Sequence, residues 1–448
     1  MGALAWSVAD GPVTPRRGTV TVMLPTPRVR PALTMAAMAG LVTASLCVAP
    51  NPATASARSG AEQVLYSFAG PNGAGPLNGV VAGPGGVLYG TTVFGGSHGG
   101  GCVFALIPKG PGYTERILVS FNRADGAKPG GNIALGSHGD LFGDTDTGGA
   151  LGGGNVFELV PNGTGYTEKV LHSFAGGADG AQPIGTPVLD AHGDVFGTTQ
   201  FGGTGGQGIV YEMKASASGY TEKVLHTFAN TGGQPQTGLS MASDGTLFGS
   251  LYGFGVVNQD GTIFRLQLRK SGPVYTDLYN FTGHTDGANP IAPLTVDNHT
   301  GVLYGTTQYG GLRDNGTVFS LTPSGHGYTE RVLSALNSGT DGFGPQAPLL
   351  LTASGDLFGT ANLGGIRCAG IGCGTVFELT PSGPAYTFHV VYRFTGPPDG
   401  AETQYAGVTA GPGGALFGTT RSGGTAHKCY DGGPGGALGC GTVYKVAR

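Results

Sequence analysis

Charge is scarce in this chain: only 11 % of its 448 residues are Asp, Glu, Lys or Arg, and the formal net charge is -4. No basic run follows the first sixty residues, so the electrostatic footprint of a nucleic-acid binder is missing. Long apolar runs are equally absent there, and nothing approaches the roughly 20 residues that span a bilayer as a helix. Tryptophan occurs once, at Trp6, and cysteine six times. There is no GxSxG elbow with partners to position, which argues against a serine hydrolase of that type. Glycine pairs recur, but none opens a helix, so a nucleotide-phosphate loop is also excluded.

Glycine is what the chain has in excess, with 89 Gly and 29 Pro. Such a composition without a three-residue period usually means disorder. Here the apolar 39 % falls in a fixed pattern instead. In Asp286–Leu336 four short runs, APLTV, GVLYGTT, GTVFSL and YTERVLSAL, alternate with clusters of Gly, Asn, Asp, Ser and Pro. Runs of about five β-prone residues separated by turn-formers read as antiparallel strands. The second run occurs seven times, centred on Gly90, Gly143, Gly197, Gly249, Gly305, Gly359 and Gly418. A period of 52 to 59 residues with four strands per unit predicts an all-β, seven-bladed β-propeller.

The phase of the repeat predicts how the ring closes. The fourth run appears six times after its own third run, and a truncated seventh copy, EQVLYSF at Glu62–Phe68, stands ahead of the first unit. The chain ends on the third run of the last unit, GTVYKVAR. The N-terminal strand is therefore expected to complete the last four-stranded antiparallel blade and leave no long open edge. A closed ring of this kind predicts a monomer. Small residues in the first run suit strands crowded around a central channel.

Residues 1–57 read as a secretory leader. Arg16, Arg17, Arg28 and Arg30 precede an apolar stretch from Ala32 to Val48, and Ala55-Ser56-Ala57 resembles a small-residue cleavage site. The true start is Met23 or Met35 on this reading. The stretch is short and holds Gly40, Thr43 and Ser45, which disfavours a membrane anchor. Residues 58–448 are then one propeller domain, secreted to the exterior or the periplasm, with no membrane span after cleavage.

Four motifs, DGAxP, LYGTTxxGG, GTVFxL and YTExVLxSF, together resemble the GloVer-type tandem repeat of bacterial extracellular proteins over the whole chain after the leader. The resemblance implies an exported β-propeller and names no activity. Members often carry a C-terminal anchoring segment; this sequence ends on its last strand, so surface anchoring is not expected.

Candidate chemistry is confined to a few positions. Cys368 and Cys373 flank one long loop and Cys429 and Cys440 another, so two local disulfides are expected in an exported protein, with a four-thiolate metal site as the alternative. Cys102 replaces a Thr of other copies and reads as a small buried residue. Asp125 opens a DGA turn, and Asp144 and Asp146 stand where other units have GTTxxGG. Three carboxylates on one rim would suit Ca²⁺ or an acid/base pair; turn-setting and a solvated loop are the plainer readings. No other cofactor is implied.

A binding site is expected among the residues that vary between copies on the TTxxGG face. Amide beside aromatic, as in Gln200-Phe201 and Gln308-Tyr309, combines two-way hydrogen bonding with ring stacking, which suits sugars. Phe94, His98, Asn362 and Arg421 occupy related positions, and the seventh-unit insertion carries His427, Lys428, Tyr430 and Asp431. The leading expectation is a secreted, non-enzymatic binding or scaffold propeller for a glycan or another surface protein. The alternatives are a polysaccharide lyase or hydrolase acting through Asp125, Asp144 and Asp146, and a structural protein of an envelope or biofilm.

Overall fold

The second run of each unit pairs on one side with the first run and on the other with the third. In the fifth unit Leu303–Thr307 lies between Thr295–Val296 and Thr317–Ser324, and Gly327–Ala335 completes the sheet. A computed structural model describes residues 61–229, 233–253, 260–325, 327–365, 372–426, 429 and 439–448. Among these residues seven such antiparallel sheets are arranged as the blades of a propeller. The leader, residues 1–57, lies outside the described residues.

The seventh blade is built from both ends of the sequence. Glu62–Ser67 pairs antiparallel with Thr442–Val446, in the register Glu62 to Val446 and Ser67 to Thr442. Phe68 continues the ladder by donating its N–H to the Gly441 carbonyl at 3.0 Å. The offset of the repeat thus becomes closure of the ring.

Aromatic wedges hold neighbouring blades together. At six joins the ring ending one fourth strand meets the third-strand ring of the next blade, with centroids 4.9 to 5.4 Å apart. At the remaining join Leu336 takes that place against Phe377. A β-bulge in every fourth strand prepares this contact. Opposite Val103 and Phe104, for example, the partner register jumps from Val119 to Ile117, so Leu118 is the extra residue. Each wedge ring is essentially inaccessible and contributes about 1.5–3 kcal/mol by burial.

The glycine of the LFG motif explains itself at this level. A Cβ on Gly305 would lie 2.5 Å from Phe319 Cζ, and the same conflict recurs at each of the six other copies. Only a bare backbone lets the ring of the paired strand lie flat across it.

The cysteine expectations are met where they can be seen. Cys429 and Cys440 form a disulfide. Cys373 is disulfide-bonded too, and Cys368 lies outside the described residues. Cys102 is free and buried beside the Thr92 hydroxyl at 3.1 Å, and burial pushes its thiol up to about 12. That is the setting of a packing residue, since nucleophilic thiols have depressed pKa values.

Candidate functional site

Two adjacent positions of each second strand, threonine in most copies, have separate duties. The first donates to a first-strand carbonyl of the next blade: Thr91 to Gly131 at 2.9 Å, Thr198 to Thr237 at 2.8 Å, Thr360 to Ala406 at 2.9 Å and Thr419 to Asn78 at 2.6 Å. The second donates to the carbonyl two residues on, as Thr92 to Phe94 at 3.0 Å, and bends the loop. The glycines that follow sit at positive φ; a Cβ on Gly95 would come within 2.2 Å of the Gly70 carbonyl oxygen. The recurring letters of TTxxGG therefore build the ring, and the two variable positions are left for other work.

The second blade breaks the pattern by placing Asp144 where a threonine should latch onto the next blade. Asp144 is 2 % exposed, and its Oδ1 has no hydrogen-bond partner among the described residues. Burial, reinforced by the neighbouring Asp146 carboxyl, holds it well above the usual carboxylate range against a bond from the Gly131 backbone. Burial also raises Asp146 to about 7, with the Lys128 charge opposing. As the protonated acid, Asp144 has an O–H to offer the next blade, as the threonines do. Asp144→Thr is expected to stabilise the fold by about 1–3 kcal/mol near pH 8, by removing a buried acid and restoring a latch. A carboxyl that folds protonated contributes fully below the ordinary aspartate range and loses that contribution as pH rises toward its raised folded value. The gain from the substitution must therefore grow with pH. Urea midpoints at pH 5 and pH 8 check this; a gain larger at pH 5 counts against a neutral Asp144.

The first strands converge on the ring axis around a cavity of about 140 Å³ to which every blade contributes. Asn78, Asn132 and Gln346 bring amides to its wall, Thr186 and Thr237 bring hydroxyls, and Tyr405 brings a phenol. None of its described lining residues is charged. Gln346 Oε1 and Thr237 Oγ1 are buried without a partner among the described residues. These residues follow the DGAxP links by a few positions, so the cavity lies at the end of the channel that bears the TTxxGG loops.

Tyr405 is there because the seventh link is one residue longer than its counterparts, as the span from Asp399 to Thr409 against that from Asp286 to Thr295 shows. The chain absorbs the extra residue with Tyr405 at φ 56, a left-handed conformation that costs a non-glycine residue about 1–2 kcal/mol. Burial raises the phenol above its usual pKa, and Gln404 and Arg421 oppose that rise. The charges of Tyr252 and Asp146 act on it from a distance and add to the rise. Arg421 in turn donates to Gln404 Oε1 at 2.9 Å.

The residues expected from sequence fall into three groups. Asp146 and Arg421 both act electrostatically on the Tyr405 phenol, and Asn362 presents a buried Oδ1 without a partner among the described residues. Gln308 donates to the Tyr309 hydroxyl at 3.2 Å, and Phe201 beside Gln200 is exposed. Phe94 is half-buried, and His98, exposed, is hydrogen-bonded to Ser97 at 3.0 Å. Asp125 does not join Asp144 and Asp146: its carboxylate accepts the Asn122 N–H at 2.8 Å, and no three acidic, His or Cys side chains among the described residues assemble to hold a metal. His427, Lys428, Tyr430 and Asp431 lie outside the described residues. The sequence reading missed Tyr405, although the longer seventh link was its signal.

Similarity to known proteins confirms the architecture and goes little further. No curated protein sequence matches the chain. Among solved structures, the extracellular domain assigned to a hybrid two component system of B. thetaiotaomicron shares 10 % identity over 81 % of this chain and 39 % of its own, at a TM-score of 0.51. The GH74 enzyme of Niastella koreensis shares 16 % over 77 % and 50 %, at 0.46. A gluconolactonase of Xanthomonas campestris shares 13 % over 72 % and 87 %, at 0.39. At 10 % identity the first of these shares the fold alone. The sequence pattern of the Gloeobacter/Verrucomicrobia repeat matches residues 54–255 and 185–430, and the chain belongs to that family.

Proposed function

We propose that this protein is an exported binding propeller that recognises a neutral, hydroxyl-rich ligand, a sugar unit of a glycan, at the axial cavity of the TTxxGG face. The observation that carries the reading is the cavity wall: amides, hydroxyls and one tyrosine from converging blades, with no charge among the described lining residues. Amides donate and accept at once, as sugar hydroxyls do, and an aromatic face packs on the C–H face of a pyranose. The left-handed Tyr405 supports the reading, because strain kept at one residue of a cavity is commonly tied to use.

A glycan array followed by calorimetry tests it. Tyr405→Ala is expected to weaken a bound neutral oligosaccharide about tenfold, the equivalent of ~1.4 kcal/mol. Gln346→Ala should weaken it further in the same folded ring. Unchanged affinity in a folded Tyr405→Ala variant removes the axial cavity from consideration.

One observation favours a second reading, a hydrolase or lyase of extracellular polymers. Asp144 and Asp146 form a pair of raised carboxyls, and Asp146 stands over Gly130 of the cavity wall. A carboxyl poised near 7 is suited to general acid chemistry. Asp146→Asn separates the readings, since it abolishes turnover under the second and leaves binding largely intact under the first.

A further inference from the structure

We infer a second binding element on the same face, a cationic groove between the first and second blades that takes the carboxylate or sulfate of an acidic sugar. It rests on the carbohydrate reading above and narrows the ligand to an acidic polysaccharide. The groove has a volume of about 470 Å³ and is lined by Phe94 from the first blade and by Arg123, Lys128 and Thr147 from the second, with glycine backbone between them. No carboxylate is among its described lining residues. Asp125, on the same turn, is engaged with the Asn122 N–H, and Asp146 senses Lys128 from the axial side without forming an ion pair with it. Two cations thus face one cleft without an ion-pair partner in direct contact among the described residues, in a chain whose net charge is -4.

Arg123 is the more telling of the two. It sits at φ 75, where the same turn in four other units has Gly70, Gly176, Gly283 and Gly396 at φ 77 to 92. Its backbone does what theirs does: the Arg123 N–H reaches the Gly126 carbonyl at 2.8 Å, as the Gly70 N–H reaches Gly73 at 3.1 Å. The Gly149 N–H reaches the Arg123 carbonyl as the Gly96 N–H reaches Gly70. The turn therefore has no need of the guanidinium, and a left-handed arginine opposes local preference where glycine is free. Lys128, at φ 57, holds a link position that Gln182, Asn289 and Glu402 fill at φ 56 to 62 and whose backbone bonds Gly75 and Gly344 make equally, so its backbone follows the repeat and its side chain is free to vary. Neither side chain is needed by the fold, and Arg123 is the one that departs from its counterparts.

The chemistry of the groove fits an acidic sugar. A guanidinium pairs a carboxylate or sulfate through two parallel N–H bonds, and an ammonium adds a point charge. Phe94 gives a half-buried aromatic face for the ring carrying that anion. The groove also adjoins the axial cavity, because Lys128 lines one and Gly130 the other. One oligosaccharide can then place a neutral unit on the axis and an acidic neighbour in the groove.

The test is calorimetry on the full chain with an oligogalacturonate, a sulfated galactan oligosaccharide and a neutral cello-oligosaccharide, at low salt. Wild-type protein is expected to prefer an acidic ligand, and whichever of the first two binds identifies the anion. Arg123→Gly and Lys128→Gln should each weaken that ligand about tenfold and leave the neutral one unchanged. Arg123→Gly should melt no lower than wild type, because it restores the glycine of the other turns. Equal affinity for acidic ligand in the double variant, or no acidic preference in wild type, overturns the groove. If Tyr405→Ala weakens every ligand while the double variant changes nothing, the axial reading stands and the groove falls. If the double variant loses acidic ligand while Tyr405→Ala is harmless, the groove stands and the axial site falls. Failure of all three ligands to bind overturns both.

Discussion

Deleting Glu62–Ala69 is expected to leave an open ring that aggregates. The deletion removes the whole outer strand of the seventh blade and bares the edge of Thr442–Val446, four of whose side chains, Thr442, Val443, Tyr444 and Val446, are fully buried in the intact ring. It also takes away Phe68, whose ring meets Phe104 across the first join at 5.0 Å. Loss of one such ring costs about 3–5 kcal/mol. Domains are stable by only about 5–15 kcal/mol, so little margin remains once the strand pairing is lost as well. An apolar strand edge left open is a template for pairing with another copy. Size-exclusion chromatography and a thermal melt check the result. A monomeric deletion variant with an unchanged midpoint would show that the N-terminal strand is dispensable and that closure is not what holds the ring. The strand carries its own pH dependence. Burial, and then the nearby Asp399, raise Glu62 to about 7. Its contribution is therefore present in acid and fades as pH rises through neutrality.

Closure was legible in the sequence because period and phase are properties of a string. The orphan EQVLYSF and the missing fourth run of the last unit state the offset without any geometry. The aromatics were legible for the same reason, recurring at one place in every unit, although their pairing across blades, Phe281 on Phe319 for instance, needed the ring. The variable positions after TT were also legible, as differences between copies. Their placement was not. Gln308 and Arg421 are far apart in sequence, and only the convergence of seven short first strands relates them to one axis. Tyr405 was hidden in a one-residue length difference that carries no chemical type of its own. Asp125 was legible in another way: its recurrence in the DGA turns pointed to a side chain that accepts a backbone N–H and sets the turn, and the bond from Asn122 is of that kind.

The site and the scaffold share parts, which shows in how the repeat was edited. Where the ring needs a group, most copies agree: a threonine for the latch, a glycine under the ring, an aromatic for the wedge. Departures gather on one face, at Asp144, Arg123 and Tyr405, and each sets aside a local preference that most other units obey. Such conflicts between local rule and observed residue are expected at functional positions.

The glycine beneath each wedge ring should be among the least replaceable residues in the chain, and Gly305 allows a sharp test. A methyl group there would stand 2.5 Å from Phe319 Cζ and 2.9 Å from Leu294 Cδ2. Phe319 is fully buried and Leu294 nearly so, and both belong to one packed cluster, so neither has room to retreat. Gly305→Ala is expected to destabilise by about 1–3 kcal/mol through overpacking. Phe319→Ala should cost about 3–5 kcal/mol through the cavity it leaves. The two effects share one cause and must not add. With the ring gone, the methyl group enters the space that Phe319 vacated, and the double variant should be no less stable than Phe319→Ala alone. Denaturant midpoints for the four proteins of this cycle measure the coupling, which neighbours in contact show at about 0.5–3 kcal/mol. Simple additivity would mean that the glycine is required for backbone conformation and not for the close approach of the ring. Gly305 has no positive φ to require it, so strong coupling is the outcome that the packing demands.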